Sequence, residues 1–392
     1  MLHCGLLGET LGHSYSPMIH HELGDYDYRL FEVPRERLGS FLTSGSWDGL
    51  NVTIPYKKAV VPYCTGLSDA AAKLQSVNTI VRRPDGTLYG DNTDLYGFLY
   101  MVRRSGISPA GKKALVLGSG GASVTVKAAL EQLGAHVTVI SRSGPDNYTN
   151  LDRHADAEII ANTTPVGMYP HNGSAAVDLK QFPCCQGVLD IVYNPARTAL
   201  ILQAEELGIP HASGLSMLVA QAKRSSEQFS GTPIDDSALE RVERIIHSRL
   251  RNIILIGMPG CGKSTVASAL GAALNREAVE ADALIADEEG FRALETEVLA
   301  EQGKRSGIIL STGGGCVTRR ENYPLLHQNG TIFCLTRDLS KLPTDGRPIS
   351  QSTDLSQLYA RRKPLYAQFA DVTVSNDGAL EDTLNTIKEA LS

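Results

Sequence analysis

Short apolar runs alternate with longer amphipathic stretches along much of the chain. From residue 114 it reads ALVLG (114–118), then VTVKAALEQLG (124–134), then HVTVISR (136–142). Strand-length runs separated by a helix-length stretch predict a βαβ unit and therefore a parallel sheet. A second series begins at NIILIG (252–257), passes through STVASALGAALN (264–275), and resumes at GIILSTGGG (307–315) and TIFCLT (331–336). Two separate series predict two separate sheets. Between them GTPIDDSALERVERIIHSRL (231–250) reads as a turn and a helix, capped by Asp235 or Asp236 and ending in basic residues that suit a helix C-terminus. The next strand follows without a Gly/Ser-rich or Pro-rich linker, so the junction near 250 is short and is expected to leave the halves little freedom. No internal repeat or low-complexity tract is visible, and the two series share a class but not a motif set.

Composition narrows this picture. A chain of 392 residues, at roughly 100 to 200 residues per domain, has two or three domains, which excludes a small single-core binding module. With 42% hydrophobic residues, 20% charged residues and a net charge of -6, nothing favours nucleic acid or an anionic membrane as a partner. The opening MLHCGLLGETLGHS lacks the basic region and apolar core of a signal peptide. No segment approaches the roughly 20 apolar residues of a membrane span. The cysteines Cys4, Cys64, Cys184, Cys185, Cys261, Cys316 and Cys334 are scattered, with no CxxC spacing and no Cys/His cluster. That pattern predicts reduced thiols without zinc, and a cytoplasmic α/β protein. The 37 glycines, beside a single tryptophan, indicate either flexible linkers or backbone pressed against ligands.

Their positions favour ligands. Gly118, Gly120 and Gly121, with Ser119 and Ala122, follow a strand and open a helix, where a dinucleotide pyrophosphate would meet free N–H groups. Ser123 occupies the usual third glycine position. After the next strand come Ser141, Arg142 and Ser143, with no carboxylate before Asp146. An arginine there pairs with a 2′-phosphate, so NADP(H) is favoured over NAD. Upstream lie Ser14-Tyr15-Ser16-Pro17, Asn51-Val52-Thr53-Ile54-Pro55-Tyr56-Lys57, Ser76-Val77-Asn78-Thr79 and Asp91-Asn92-Thr93-Asp94. Such hydroxyls and amides suit a polyhydroxylated ring with a reducible carbonyl, anchored by Ser14, Ser16, Thr53, Asn78 and Asn92. Reducing that carbonyl requires a proton for the developing alkoxide, for which Lys57 and Asp94 are the candidates.

The first 250 residues closely resemble shikimate dehydrogenase. The resemblance rests on those motifs together with NTTPVGM (162–168), DIVYNPARTAL (190–200) and GLSMLVAQ (214–221). It implies NADPH-dependent reduction of 3-dehydroshikimate to shikimate, with Lys57 and Asp94 as the catalytic pair. Ser14, Ser16, Thr53, Asn78, Tyr193 and Gln221 fall on substrate positions, and Ile191 and Gly214 on the nicotinamide side. It further implies a substrate domain of 1–97 plus 230–250 around an NADP-binding Rossmann domain of 98–229, in a monomer or weak homodimer. Two departures stand out: His20-His21 replaces the family's His-Asn, and Ser141-Arg142 its Asn-Arg. A quinate-type, NAD-preferring dehydrogenase is the competing reading, and Arg142 argues against it.

The last 142 residues open on Gly257-Met-Pro-Gly-Cys-Gly-Lys-Ser264, a full GxxxxGK[ST] motif between a strand and a helix. The amides of Gly260, Cys261, Gly262 and Thr265 can cradle the phosphates of ATP, Lys263 can reach them, and the Ser264 hydroxyl can hold Mg2+. With Gly313-Gly314-Gly315, FRALE (291–295), GRP (346–348) and RRKPLY (361–366), residues 251–392 closely resemble shikimate kinase. The resemblance places Arg292, Gly314 and Arg362 on the shikimate carboxylate and ring, Arg347 in a lid over the ATP phosphates, and Asp282 as the base for the substrate hydroxyl. Paired guanidinium groups suit a carboxylate through parallel hydrogen bonds. Glu280-Ala281-Asp282 stands where the family has Asp-x-Asp. The stretch from Asp282 to Arg292 is shorter than the family's by about the length of a short helix, which motivates the alternative of a nucleotide-binding module without kinase activity. Together the halves imply a bifunctional enzyme for two successive steps towards chorismate and the aromatic amino acids, with shikimate as product of one and substrate of the other.

Overall fold

The computed structural model describes residues 1–12, 14–285, 291–342 and 355–391. Arg347 and the centre of the shortened stretch after Asp282 lie outside the described residues. The chain forms two compact units. The first comprises Met1–Met168, Ser174–Tyr193 and Leu200–Ile246, and the second His247–Ser392 with the short segments Tyr169–Gly173 and Asn194–Ala199.

The first unit contains two sheets. One is built from β1 (His3–Gly8), β2 (Asp27–Glu32), β3 (Gly49–Val52), β4 (Gly66–Leu67), β5 (Thr79–Arg82) and β6 (Leu88–Asp91) in the order β2-β1-β3-β5-β6-β4. β1 runs parallel to β2 and β3, whereas β5 is antiparallel to both β3 and β6. This arrangement brings the NVTIPYK turn beside SVNT and DNTD. Its core gathers Leu7, Leu50, Val52, Tyr56, Ile80 and Trp47.

The second sheet holds β7 (Lys113–Leu117), β8 (His136–Ile140), β9 (Ile159–Asn162), β10 (Gly187–Asp190) and β11 (His211–Ser213), all parallel, in the order β11-β10-β9-β7-β8. Ala114 and Val116 belong to one core, while Leu115 and Leu117 belong to another. A strand buried on both faces reads as a continuous apolar run because both its side-chain rows meet helices. The chain leaves β7 for β8 on one side and returns to β9 on the other. Doubly wound sheets hold their ligands at such a switch point, outside the strand C-termini. Helix Leu215–Ser230 leans back on the first sheet, with Phe229 against Gly49, and helix Ser237–Leu250 follows it.

The second unit has its own parallel sheet of β12 (Asn252–Gly257), β13 (Ala278–Glu280), β14 (Ile309–Ser311), β15 (Gly330–Thr336) and β16 (Val372–Ser375) in the order β13-β14-β12-β15-β16. Ile253, Ile254, Leu255 and Ile256 are all fully buried in its core. Among the described residues, no helix is long and apolar enough to cross a membrane.

Candidate active sites

In the first unit, Lys57 Nζ donates to Asp94 Oδ2 at 2.6 Å. Lys57 sits in the turn after β3, where its carbonyl accepts from Val77 N–H at 2.8 Å. Asp94 lies in the first turn of helix Thr93–Ser105, whose cap Asn92 accepts from Leu95 N–H at 3.3 Å. A carboxylate is favoured at that end of the helix dipole. Asn92 also donates to the Ser76 carbonyl at 2.9 Å. Asn78 Oδ1 accepts from Thr93 N–H at 2.7 Å, and its amide reaches Gln221 Oε1 at 3.5 Å. Asn78, Thr93 and Gln221 thus form one hydrogen-bonded set, and it adjoins the Lys57–Asp94 pair because Thr93 and Asp94 are consecutive residues. Ser14 Oγ accepts from Ser16 N–H at 3.2 Å, and Thr53 N–H donates to the Leu7 carbonyl at 2.9 Å. The Tyr15 and Tyr193 rings lie 5.3 Å apart, and burial pushes the Tyr193 hydroxyl up to about 12.

Sequence reasoning missed the layer beneath. Tyr28 donates to Asn51 at 2.8 Å, and its ring stacks on His20 at 4.0 Å. His20 is fully buried and pairs through Nδ1 with the Tyr26 hydroxyl at 2.6 Å. Burial lowers its pKa to about 3. The first histidine of the unusual pair is thus a neutral core residue.

The nucleotide turn opens at the switch point. Gly118 adopts φ +103° after β7, a conformation other residues rarely take. A Cβ on Gly120 or Gly121 would meet nothing within 4 Å. Packing does not explain those glycines, whereas a close pyrophosphate would. Ser123, in place of a third glycine, is buried and donates to the Gly120 carbonyl at 2.6 Å. It braces the turn. Ser141 Oγ accepts from Gly144 N–H at 2.8 Å, and the nearby Asp146 pairs with His154 at 2.8 Å. Arg142 is exposed and makes no ion pair among the described residues, and neighbouring Ser143 is exposed too. The donors available here fit a 2′-phosphorylated dinucleotide. Gly214 packs so tightly that a Cβ would lie 2.0 Å from the Ile191 carbonyl oxygen.

In the second unit Gly262 caps helix Lys263–Leu274 at φ +98°. Lys263 Nζ donates to the Gly257 and Met258 carbonyls, at 3.1 Å each. Ser264 and Thr265 are exposed at the helix mouth, while Cys261 is buried and its carbonyl accepts from Asn376 at 2.8 Å. Ser264 Oγ donates to Glu280 Oε2 at 3.0 Å. The longer carboxylate therefore reaches the proposed metal-binding hydroxyl, and a hydroxyl beside a carboxylate is a donor set that suits Mg2+.

The glycine run has a packing reason at each position. A Cβ on Gly313 would lie 2.5 Å from Asp282 Oδ1 and 2.4 Å from Glu295 Oε1. One on Gly314 would lie 2.6 Å from Pro259 Cδ, and one on Gly315 2.0 Å from an Arg292 nitrogen. The run thus threads between the phosphate loop, Asp282 and Arg292. Arg362 donates to the Gly314 carbonyl at 2.9 Å, as does Tyr366 at 2.5 Å. Fully buried Glu295 holds Arg292 at 2.6 Å, and burial raises its pKa against the pull of that arginine. Glu295 was also missed, although the Arg-x-x-Glu spacing on a helix signals such a pair.

Different parts of the chain are similar to different known families. A family model described as shikimate dehydrogenase substrate binding domain matches residues 6–80, and one described as shikimate kinase matches residues 259–392. A Clostridium perfringens protein named shikimate dehydrogenase (NADP(+)) is 35% identical over 260 residues, covering 61% of this chain and 96% of the relative. The solved chorismate mutase/shikimate 5-dehydrogenase fusion protein from Clostridium acetobutylicum is 33% identical with a TM-score of 0.59, covering 62% of this chain and 97% of that one. Shikimate 5-dehydrogenase from Thermus thermophilus, solved in complex with NADP(H) and shikimate, is 30% identical with a TM-score of 0.57, covering 62% and 99%.

Proposed function

We propose, for a chain that belongs to the shikimate dehydrogenase family and carries a shikimate kinase domain behind it, that it reduces 3-dehydroshikimate to shikimate and then phosphorylates the shikimate 3-hydroxyl. The observation that carries the first step is the Lys57–Asp94 contact at 2.6 Å. When bound, NADPH supplies the hydride. Lys57 donates the proton to the developing alkoxide, and Asp94 orients that ammonium and accepts from a neighbouring ring hydroxyl. Asn78, Gln221, Ser14, Ser16, Thr53 and Tyr193 hold the remaining polar groups of the ring. Gly118 to Ala122 take the pyrophosphate, Ser141 to Ser143 the 2′-phosphate, and Ile191 and Gly214 border the nicotinamide.

For the second step, Arg292 and Arg362 receive the shikimate carboxylate beside Gly314, and Asp282 accepts the proton of the attacking hydroxyl. The amides from Gly260 to Thr265 and the Lys263 ammonium hold the phosphates of ATP. Ser264, with Glu280 beside it, would hold Mg2+, which would supply charge neutralisation at the phosphates. Phosphoryl transfer needs positioning and charge stabilisation more than covalent chemistry, and these groups provide both. The support for kinase activity is the meeting of Asp282, Arg292 and the phosphate loop on Gly313 to Gly315.

Two assays test the reading. Shikimate-dependent reduction of NADP tests the first step, and shikimate-dependent ADP release tests the second. ADP release that shikimate does not accelerate would reduce the second half to a nucleotide-binding module. A higher kcat/KM with quinate and NAD than with shikimate and NADP would make the first half a quinate-type dehydrogenase.

A further inference from the structure

The nucleotide-binding sheet buries one carboxylate that the proposed reaction leaves unused. Asp190 ends β10, is 0% exposed, and sits level with Asn162 at the end of β9. A buried carboxylate is costly unless its hydrogen bonds are met, and an apolar residue would suit a strand end buried on both faces.

Two of its partners lie on different segments, Asn162 at the end of β9 and Val192 in the loop after β10. Asp190 Oδ1 accepts from Val192 N–H and from Asn162 Nδ2, each at 3.0 Å. Asn162 Oδ1 in turn accepts from Thr164 N–H at 3.0 Å and from Thr164 Oγ1 at 2.7 Å. Thr163 donates through its N–H and Oγ1 to the Leu117 carbonyl, at 2.9 and 2.7 Å. A Cβ on Gly118 would lie 2.9 Å from Thr164 Cγ2. On the opposite side, the Val192 carbonyl accepts from Gly214 N–H at 3.0 Å. A continuous ladder therefore runs from the Gly118 turn, through Thr163, Thr164 and Asn162, to Asp190, Val192 and Gly214.

We propose that Asp190 is a positioning residue that fixes the spacing between the pyrophosphate-side turn and the nicotinamide-side loop of the cofactor site. It touches neither substrate nor cofactor. The proposal rests on the NADP(H) reading of that site. Hydride delivery is sensitive to placement, and a misplacement of roughly 1 Å can cost on the order of 10²-fold in rate. Adenosine 2′,5′-bisphosphate carries the adenosine and its 5′-phosphate and stops short of the nicotinamide-side loop, so it should not sense the spacing across the ladder.

The test uses the full chain with Asp190→Ala and Asp190→Asn. Binding of NADPH and of adenosine 2′,5′-bisphosphate is measured by titration calorimetry, and kcat by NADP reduction with shikimate. In Asp190→Ala, NADPH affinity is expected to fall about tenfold and kcat on the order of 10²-fold. Bisphosphate affinity should stay within about twofold. Asn keeps an oxygen that can accept from Val192 and Asn162, so Asp190→Asn should restore most of both. A parallel loss of bisphosphate affinity, an unchanged NADPH affinity, or an Asn variant as damaged as Ala overturns the proposal. If Asp190→Ala does not fold, Asn162→Ala breaks the ladder from the other strand, and a parental NADPH affinity there also overturns it. A parent chain that binds neither ligand would instead overturn the NADP(H) reading, so the two failures are distinguishable.

Discussion

The Lys57 ammonium meets the Asp94 carboxylate at 2.6 Å although the two residues lie 37 positions apart. The pairing depends on β3, β5 and β6 lying side by side, which sets the NVTIPYK turn against the start of helix Thr93–Ser105. Neither side chain is on the nucleotide-binding sheet. Lys57→Ala should therefore lower kcat for NADP reduction by roughly 10²- to 10⁴-fold, with NADP affinity nearly intact. A large loss of NADP binding, measured by calorimetry, would refute the proton-donor role.

Arg142 stands exposed, without an ion pair among the described residues, while the nearest carboxylate along the chain, Asp146, pairs with His154. A free guanidinium fits a 2′-phosphate, and a charged hydrogen bond is worth about 1.5 to 3 kcal/mol. Arg142→Ala should raise KM for NADP about tenfold or more and leave KM for NAD almost unchanged. Steady-state kinetics with both cofactors checks this.

Gly315 has ordinary backbone angles, φ −108° and ψ 0°, so only space forbids a side chain there. A Cβ would lie 2.0 Å from an Arg292 nitrogen and displace that guanidinium. Gly315→Ala is expected to raise KM for shikimate in the kinase assay about tenfold or more while ATP affinity stays near parental. Equal weakening of both ligands would mean that the glycine run serves the phosphate loop instead.

His20 makes stability of the first sheet pH-dependent. Its folded-state pKa is lowered to about 3 from 6.5 by burial. The unfolded chain therefore binds a proton that the folded chain refuses. The contribution is fully present above the unfolded pKa and is lost as pH falls from 6.5 towards 3, at up to about 1.4 kcal/mol per pH unit. The single tryptophan, Trp47, sits in the core of the same sheet and reports on it by fluorescence. Between pH 7 and pH 5, urea unfolding should show His20→Gln losing about 2 kcal/mol less than the parent. Identical losses would remove His20 as the cause.

The features legible beforehand share a physical origin. A glycine turn between strand and helix, or GxxxxGK[ST], states its function in adjacent residues, because the chemistry consists of backbone N–H groups at a helix end. The apolar runs of β7 and β12 were legible for the same reason, since both their faces meet helices. Asp190, Glu295 and the burial of His20 were not. Each is a polar residue whose meaning lies in what surrounds it, and single-residue identity does not distinguish a solvated carboxylate from one that bridges two loops. Ser123 marks the boundary: the sequence exposed it as a departure from the glycine pattern, and only the fold shows that its hydroxyl donates to the Gly120 carbonyl.

By itself, then, the sequence determined the α/β class, the two nucleotide turns and the residue types available to a shikimate-like ring. Those are set by neighbouring residues through local geometry and periodicity. The tertiary structure decided which of those residues meet. Strand order brought Lys57 to Asp94, helix packing brought Gln221 to Asn78, and the register of β9 against β10 brought Asn162 to Asp190. Contacts between distant segments follow from how sheets align and bury their faces, and no local pattern records that alignment.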